Sequence, residues 1–321
     1  MFIRCKGVIF AVVLGLICPA LMIAMLQKEK PVLDNLIPDN TIQEDRKDPG
    51  KLRISVLMPD GTIEDMDMND YLTCVVLREM PASFELEALK AQAVVARTYA
   101  LRRSQSGGKH IGAAVCTKSD CCQGYYDLEE YYAASGKQEN VDKIKSAVHL
   151  TDNLVLVYNG NLIDATYFSC SGGMTEEAAA VWGKEVPYLQ STVSPGEENA
   201  THYIDTETYK TAEFKKALEI DEHAKVQIGN ISYTSGGGID TIAVCGKVFK
   251  GTDFRKKLGL RSTAIVITVI NDAVIITTKG YGHRVGMSQY GADAMAVGGA
   301  CFPDILAHYY QGTQLVTYNG N

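Results

Sequence analysis

The stretch that most constrains this chain is YLTCVVLREMPASFELEALKAQAVVARTYALR, residues 71 to 102. Pro81 lacks a backbone N–H, and its ring clashes with a preceding helical turn. A helix entering from Asn69 therefore has to stop at Glu79. A second helix is expected from about Glu85 to Arg103, with Ser83 as its N-cap, because Ala, Leu, Gln and Arg are dense there. On that helix Lys90, Val94, Arg97 and Leu101 fall along one stripe, while Val94, Val95, Ala96, Tyr99 and Ala100 make much of the remaining surface apolar. Lys90 and Arg97 then either reach into a polar site or snorkel from a partly buried helix.

Shorter signals organise the rest. Residues 53–66 alternate around Asp60-Gly61, and residues 154–171 turn at Asn159-Gly160; both read as hairpins. Residues 107–140 hold glycines, cysteines and tyrosines and read as a loop insertion. Short helices are expected at 141–150, 207–220, 251–258, 285–298 and 302–310, and strands near 239–245 and 264–278. The pattern predicts an α+β fold with a mainly antiparallel sheet, one globular body over 53–321 with a substrate cleft. Of the 321 residues, 46% are hydrophobic and 21% charged, which argues against disorder and against a polytopic membrane protein. A net charge of −7 makes a broad basic nucleic-acid face an unlikely design.

Before that body, Arg4 and Lys6 precede an uncharged run from Gly7 to Leu26, long enough at about 1.5 Å per residue to span about 30 Å. Its exit, Met-Leu-Gln-Lys, is a poor cleavage site, which favours an uncleaved single-pass anchor over residues 1–27 rather than a removed signal peptide. Residues 28–52 are polar and proline-containing, a tether. The expected orientation is N-terminus inside, with the body on the extracytoplasmic side.

Three segments carry chemistry. Glu79 ends a helix, where the negative end of the helix dipole disfavours a carboxylate and burial would raise its pKa further, as a general acid requires. The glycine-rich TTKGYGHRVGMSQYGADAMA, residues 277–296, offers His283, Ser288 and Gln289 at a helix start without the ending of a phosphate loop. Residues 167–190 offer Ser171, Thr175, Trp182 and Tyr188 but no G-x-S-x-G elbow. Within the loop insertion, His110, Cys116, Cys121 and Cys122 give H-x5-C-x4-C-C, a tetrahedral set for structural zinc. The spacing departs from a C-x-x-C knuckle, so a disulfide or free thiols are the alternatives. The nine cysteines also include Cys5 and Cys18 in the anchor and Cys74, Cys170, Cys245 and Cys301, which read as buried thiols or disulfides.

Three motifs, REMP…EALKAQAVVARTYAL, SCSGGMTE…VWG…PYL and GYGHRVGMSQYGA, resemble in order those of the stage II sporulation protein D family, which is related to bacterial amidase enhancers. The resemblance covers nearly all of residues 53–318. It implies a membrane-anchored lytic transglycosylase that cleaves MurNAc-GlcNAc bonds of stem-peptide-free peptidoglycan strands during forespore engulfment, in the intermembrane space around the forespore. It implies Glu79 as the catalytic acid, and as partners the amidase stage II sporulation protein P and the membrane protein stage II sporulation protein M. Some members carry a Cys/His zinc site in this segment and others lack it. Lys90, Arg97, Ser171, Thr175, Tyr188, His283, Ser288 and Gln289 are the expected substrate-binding residues. The alternatives are a hydrolytic muramidase, with Glu85, Glu87, Asp164, Glu176 or Glu177 as a second carboxylate, and a non-catalytic glycan-binding activator of an amidase.

Overall fold

The proline break is where the chain turns. The computed structural model describes residues 52–134 and 136–320. Helix α1 spans Met68–Glu79 and helix α2 spans Leu86–Gln105. The Asp67 carboxylate caps α1 by accepting from the amides of Asn69 (2.9 Å) and Asp70 (3.4 Å). Met80 is extended, at φ −129° and ψ 141°, as a residue before proline prefers. Ser83 does not cap α2. Glu85 occupies the N-cap position, and its amide donates to Asp293 (2.7 Å) from a distant helix. A tertiary partner has taken over the expected local one.

Every residue of α2 from Ala91 to Leu101 is buried. Around it pack α1, the helices Gln138–His149, Gln289–Val297 and Phe302–Tyr309, and the strand Leu154–Tyr158. A helix surrounded on all faces has no polar side, so the stripe expected for Lys90 and Arg97 does not face solvent or a site. Arg97 is wholly buried and donates to the carbonyls of Val148 (3.2 Å), in the last turn of helix Gln138–His149, and of Thr151 (2.7 Å) and Leu154 (3.3 Å) just beyond it. Its cation neutralises that helix end. Arg97→Met is therefore expected to cost about 3–5 kcal/mol of stability, because buried acceptors lose a charged donor. Urea unfolding checks this. An unchanged midpoint with weakened glycan binding would return Arg97 to the site.

The hairpin Arg53–Leu57 with Ile63–Asp67 forms as expected, and Val115–Cys116 joins its outer edge in parallel, tying the cysteine loop to the body. The second hairpin holds only as far as Leu162. Past it, Asp164 is captured by Arg102 (2.7 and 3.0 Å), and Tyr167–Phe168 pairs in parallel with Met287–Ser288. Gly286 permits that approach: at φ +84°, a Cβ there would sit 2.1 Å from the Thr166 carbonyl. The same pairing delays the helix expected at 285–298 until Gln289.

Between these motifs, residues 204–279 build a second hydrophobic core around Phe214, Ile242, Phe254 and Ile276, under two three-stranded antiparallel sheets. The helix expected at 207–220 is instead a strand, Ile204–Lys210, followed by the helix Thr211–Ala217. The strand Ile228–Tyr233 was not expected. Arg284 fastens this lobe to the first. Its guanidinium donates to Glu176 (3.2 Å), to the carbonyls of Ser171 (2.7 Å) and Met174 (2.8 Å), and across to the Gly236 carbonyl (2.7 Å). Glu176 in turn accepts from Thr234 (2.8 Å) and the Gly238 amide (3.0 Å).

The α+β class and the mainly antiparallel pairing are thus as the sequence implies. The expected anchor, 1–27, lies outside the described residues, as does the tether, 28–52, apart from Leu52. Among the described residues no helix is long and apolar enough to cross a membrane.

Candidate active site

Glu79 is the last residue of α1, and its carboxylate faces a cleft rather than the surface. One oxygen accepts from the Gly124 amide at 2.5 Å. Burial raises its pKa above the ordinary glutamate value, against the lowering effects of the Gly124 amide, the Tyr167 hydroxyl, Arg78 and Gln289. A relay of buried groups aims that hydroxyl. Tyr71 donates to Gln123 Oε1 (3.1 Å), and Gln123 Nε2 donates to the Tyr167 oxygen (3.2 Å). Tyr167 then has its own proton to give to Glu79. Gly124 has no room for a side chain: a Cβ would lie 2.8 Å from the Glu79 carboxylate.

The cleft encloses about 810 Å³. Its walls come from α1, α2, the cysteine loop, residues 165–169 and the glycine-rich turn at 281–283. His283 and Gln289 are both there, as expected. His283 is half-buried between Trp182 (5.4 Å between ring centres) and Phe168 (5.6 Å). Burial, reinforced by Arg255, lowers its pKa to about 4, so the imidazole is neutral at physiological pH. Its Nδ1 accepts from the Val285 amide (3.1 Å), which suits a ring that orients its neighbours rather than transfers protons. Gln289 Nε2 is buried beside Glu79 and lacks a hydrogen-bond partner meeting normal geometry, so it has a donor to spare for a ligand.

The other expected binding residues lie elsewhere. Lys90 pairs with Glu87 (2.7 Å) and sits 4.8 Å over the Phe302 ring. Arg97 holds the helix end described above. Ser171 and Ser288 both donate to Glu197, a buried carboxylate that also accepts from Ser194 (2.7 Å) and the amides of Ser171 and Gly172 (each 2.9 Å). Ser288 caps the following helix as well. Thr175 is buried, accepting from the Thr192 amide (2.8 Å), and the Tyr188 hydroxyl accepts from the Asp164 amide (3.0 Å). These side chains build the frame that presents the glycine-rich turn. The residue types were legible, but whether a hydroxyl faces a ligand or a buried carboxylate depends on Glu197, which no local motif marks.

The cleft wall adds residues the sequence reading missed as site residues, among them Arg78, Arg103, Lys109, Asp120 and Tyr167. Arg78, Arg103 and Lys109 put three cations on the lining. None of Glu85, Glu87, Asp164, Glu176 and Glu177 reaches the cleft. Asp120, exposed on the cysteine loop, is the one other carboxylate among its described lining residues.

In that loop the ligand atoms of His110, Cys116, Cys121 and Cys122 lie within 4.8 Å of one another. His110 Nε2 is 3.7 Å from Cys121 Sγ and 3.5 Å from Cys122 Sγ, and the two sulfurs are 4.0 Å apart. A zinc tetrahedron with Zn–S about 2.3 Å and Zn–N about 2.0–2.1 Å has edges of about 3.6–3.8 Å. The donor set and spacing fit that ion. The adjacent Cys121 and Cys122 converge because the chain turns there, with both their amides bonded to the Lys118 carbonyl. No disulfide forms among the described cysteines; Cys74, Cys170, Cys245 and Cys301 are free thiols.

A family profile described as stage II sporulation protein matches residues 60–158, the span that carries Glu79 and the Cys/His quartet. The chain is 38% identical to stage II sporulation protein D of Bacillus subtilis (strain 168) over 259 residues, covering 79% of this chain and 76% of that protein. It is 35% identical to stage II sporulation protein D of Bacillus amyloliquefaciens over 318 residues, covering 94% and 92%. An amidase enhancer of Bacillus subtilis (strain 168) is 30% identical over 299 residues, 76% of this chain but 40% of that relative.

Proposed function

The chain belongs to the stage II sporulation protein D family, and from that premise we propose that it is a lytic transglycosylase acting on stem-peptide-free peptidoglycan strands. The observation that carries the reading is one desolvated carboxylate, Glu79, in a cleft whose other described carboxylate is solvent-exposed. A hydrolytic glycosidase normally needs a second carboxylate to activate water. A transglycosylase does not. Protonated Glu79 gives its proton to the glycosidic oxygen, the bond to C1 breaks, and the C6 hydroxyl of the same muramic acid attacks C1. The ionised Glu79 then accepts the hydroxyl proton, and the product is a 1,6-anhydro end. The attack is intramolecular, so it forfeits no translational entropy.

The remaining walls fit that substrate. Without its stem peptide, muramic acid exposes a lactyl carboxylate, for which Arg103 and Lys109 supply positive charge. Trp182 and Tyr281 add aromatic surface to the cleft for contact with pyranose rings. Zinc on His110, Cys116, Cys121 and Cys122 is a structural staple, since four protein ligands leave no open position for substrate. In the same reading the body acts outside the membrane during engulfment, held by the N-terminal run and working with stage II sporulation proteins P and M.

The test is the mass of the reducing end after digestion of peptide-free strands: transglycosylation leaves an end lighter by one water than hydrolysis does. Asp120 is the residue that would favour the hydrolytic reading. If it served as a base, Asp120→Asn would cost about 10²–10⁴-fold in rate. We expect no loss of that size and anhydro ends throughout. Free reducing ends that vanish in Asp120→Asn would reverse the assignment.

A further inference from the structure

We propose that the cleft continues across Trp182 into a distal saccharide subsite on the second lobe, so that the enzyme engages strands over several sugars on both sides of the bond it cuts. This rests on the glycan-cleaving reading above. The short helix Ala178–Trp182 divides the cleft from a second hollow of about 270 Å³. Trp182 lines both hollows. The far wall belongs to the second lobe, with Asp240, Lys250 and Thr252 as its polar groups. One acid, one base and one hydroxyl over an apolar floor of Ile239 and alanines offer donors and acceptors to sugar hydroxyls, and Lys250 offers a cation to a lactyl carboxylate.

Trp182 itself is 47% exposed, unusual for an indole with no partner on its outer side. His283 supports its inner side and fixes its angle. A half-exposed indole that lines both hollows is placed to contact a sugar as a strand passes from one to the other. A third hollow of about 470 Å³ shares Arg78, Ser119 and Asp120 with the cleft and no residue with the hollow beyond Trp182. Glu79 lies in the middle hollow of the three. The lobes that form the two ends are locked by the Arg284–Glu176 pair, so the path is built before the ligand arrives. Such a groove has room for chain on either side of the scissile bond, which makes interior bonds of a strand accessible.

Trp182 is the sole tryptophan, so its fluorescence reports directly on this position. The experiment titrates full-length Glu79→Gln protein, slowed so that binding is read before turnover, with peptide-free glycan as tetrasaccharide, octasaccharide and long strands. Affinity is expected to rise about tenfold from tetrasaccharide to octasaccharide, about 1.4 kcal/mol. In a Lys250→Ala/Thr252→Ala background that rise is expected to disappear while tetrasaccharide affinity stays the same. In the otherwise wild-type enzyme, early products from long strands are expected to be large fragments with anhydro ends. If affinity is the same at every length, or the length effect survives the double substitution, the subsite is refuted while the anhydro ends still uphold the catalytic reading. If no oligomer binds and no anhydro end forms, the catalytic reading falls and takes the subsite with it.

Discussion

Replacing Glu79 with Gln is expected to lower strand cleavage by about 10²–10⁴-fold, the range for a general acid–base group, while the protein stays folded and still binds glycan. The amide keeps the shape of the carboxylate and can still accept from the Gly124 amide, but it has no proton to give. The pH dependence carries a definite sign. The raised pKa keeps the acid form present to a higher pH than an ordinary glutamate would, and the rate falls as pH rises through that folded-state value. Stability follows the same direction. A carboxyl whose folded pKa is raised contributes stability that is fully present below its unfolded value and lost as pH rises through the folded one. Glu79→Gln removes that decline, so its urea midpoint is expected to vary less with pH than that of the wild type. Cleavage assays and urea titrations across pH test both statements. A Gln variant that releases anhydro ends at the wild-type rate would end the assignment.

Loss of the cysteine site is the second large effect expected. Gln123 and Gly124 follow Cys122 directly, and both act on the Glu79 carboxylate: Gly124 donates to it, and Gln123 orients Tyr167 towards it. Cys121 and Cys122 also line the cleft. Removing zinc with a chelator, or substituting Cys116→Ser, therefore releases the wall and two groups that favour the ionised form. The melting temperature is expected to drop, and cleavage to fall at least about tenfold, as when supporting contacts of a metal site are lost. Elemental analysis is expected to find about one zinc per chain on four such ligands. Protein that binds no zinc, or whose activity and melting are indifferent to chelator and to Cys116→Ser, would refute the staple.

The legible parts of this molecule are those where a local rule has no competitor. Pro81 cannot continue a helix, so the position of Glu79 at a helix end follows from residues within one turn of it. The Asn159-Gly160 turn and the spacing of His110, Cys116, Cys121 and Cys122 are local in the same sense. The expected binding residues divide along that line. His283 and Gln289 reach the cleft because the glycine-rich turn carries them there. Ser171, Thr175, Tyr188 and Ser288 sit in segments of equal promise, yet they satisfy buried partners from distant positions, Glu197 above all. Arg97 shows the limit most sharply. Its periodicity was that of a polar stripe, but α2 is enclosed on every side, and the buried carbonyls at the C-terminal end of helix Gln138–His149 are its partners.

By itself the sequence determined where helices must stop, which residues could form a metal tetrahedron and which acid stood at a helix end, because those depend on backbone sterics and short spacings. Tertiary structure alone decided which polar side chains face the cleft, that Glu79 is desolvated, and that a second lobe meets the first at Arg284. Burial and long-range hydrogen bonding are properties of what packs against a residue, and nothing within a few positions of it specifies that neighbour.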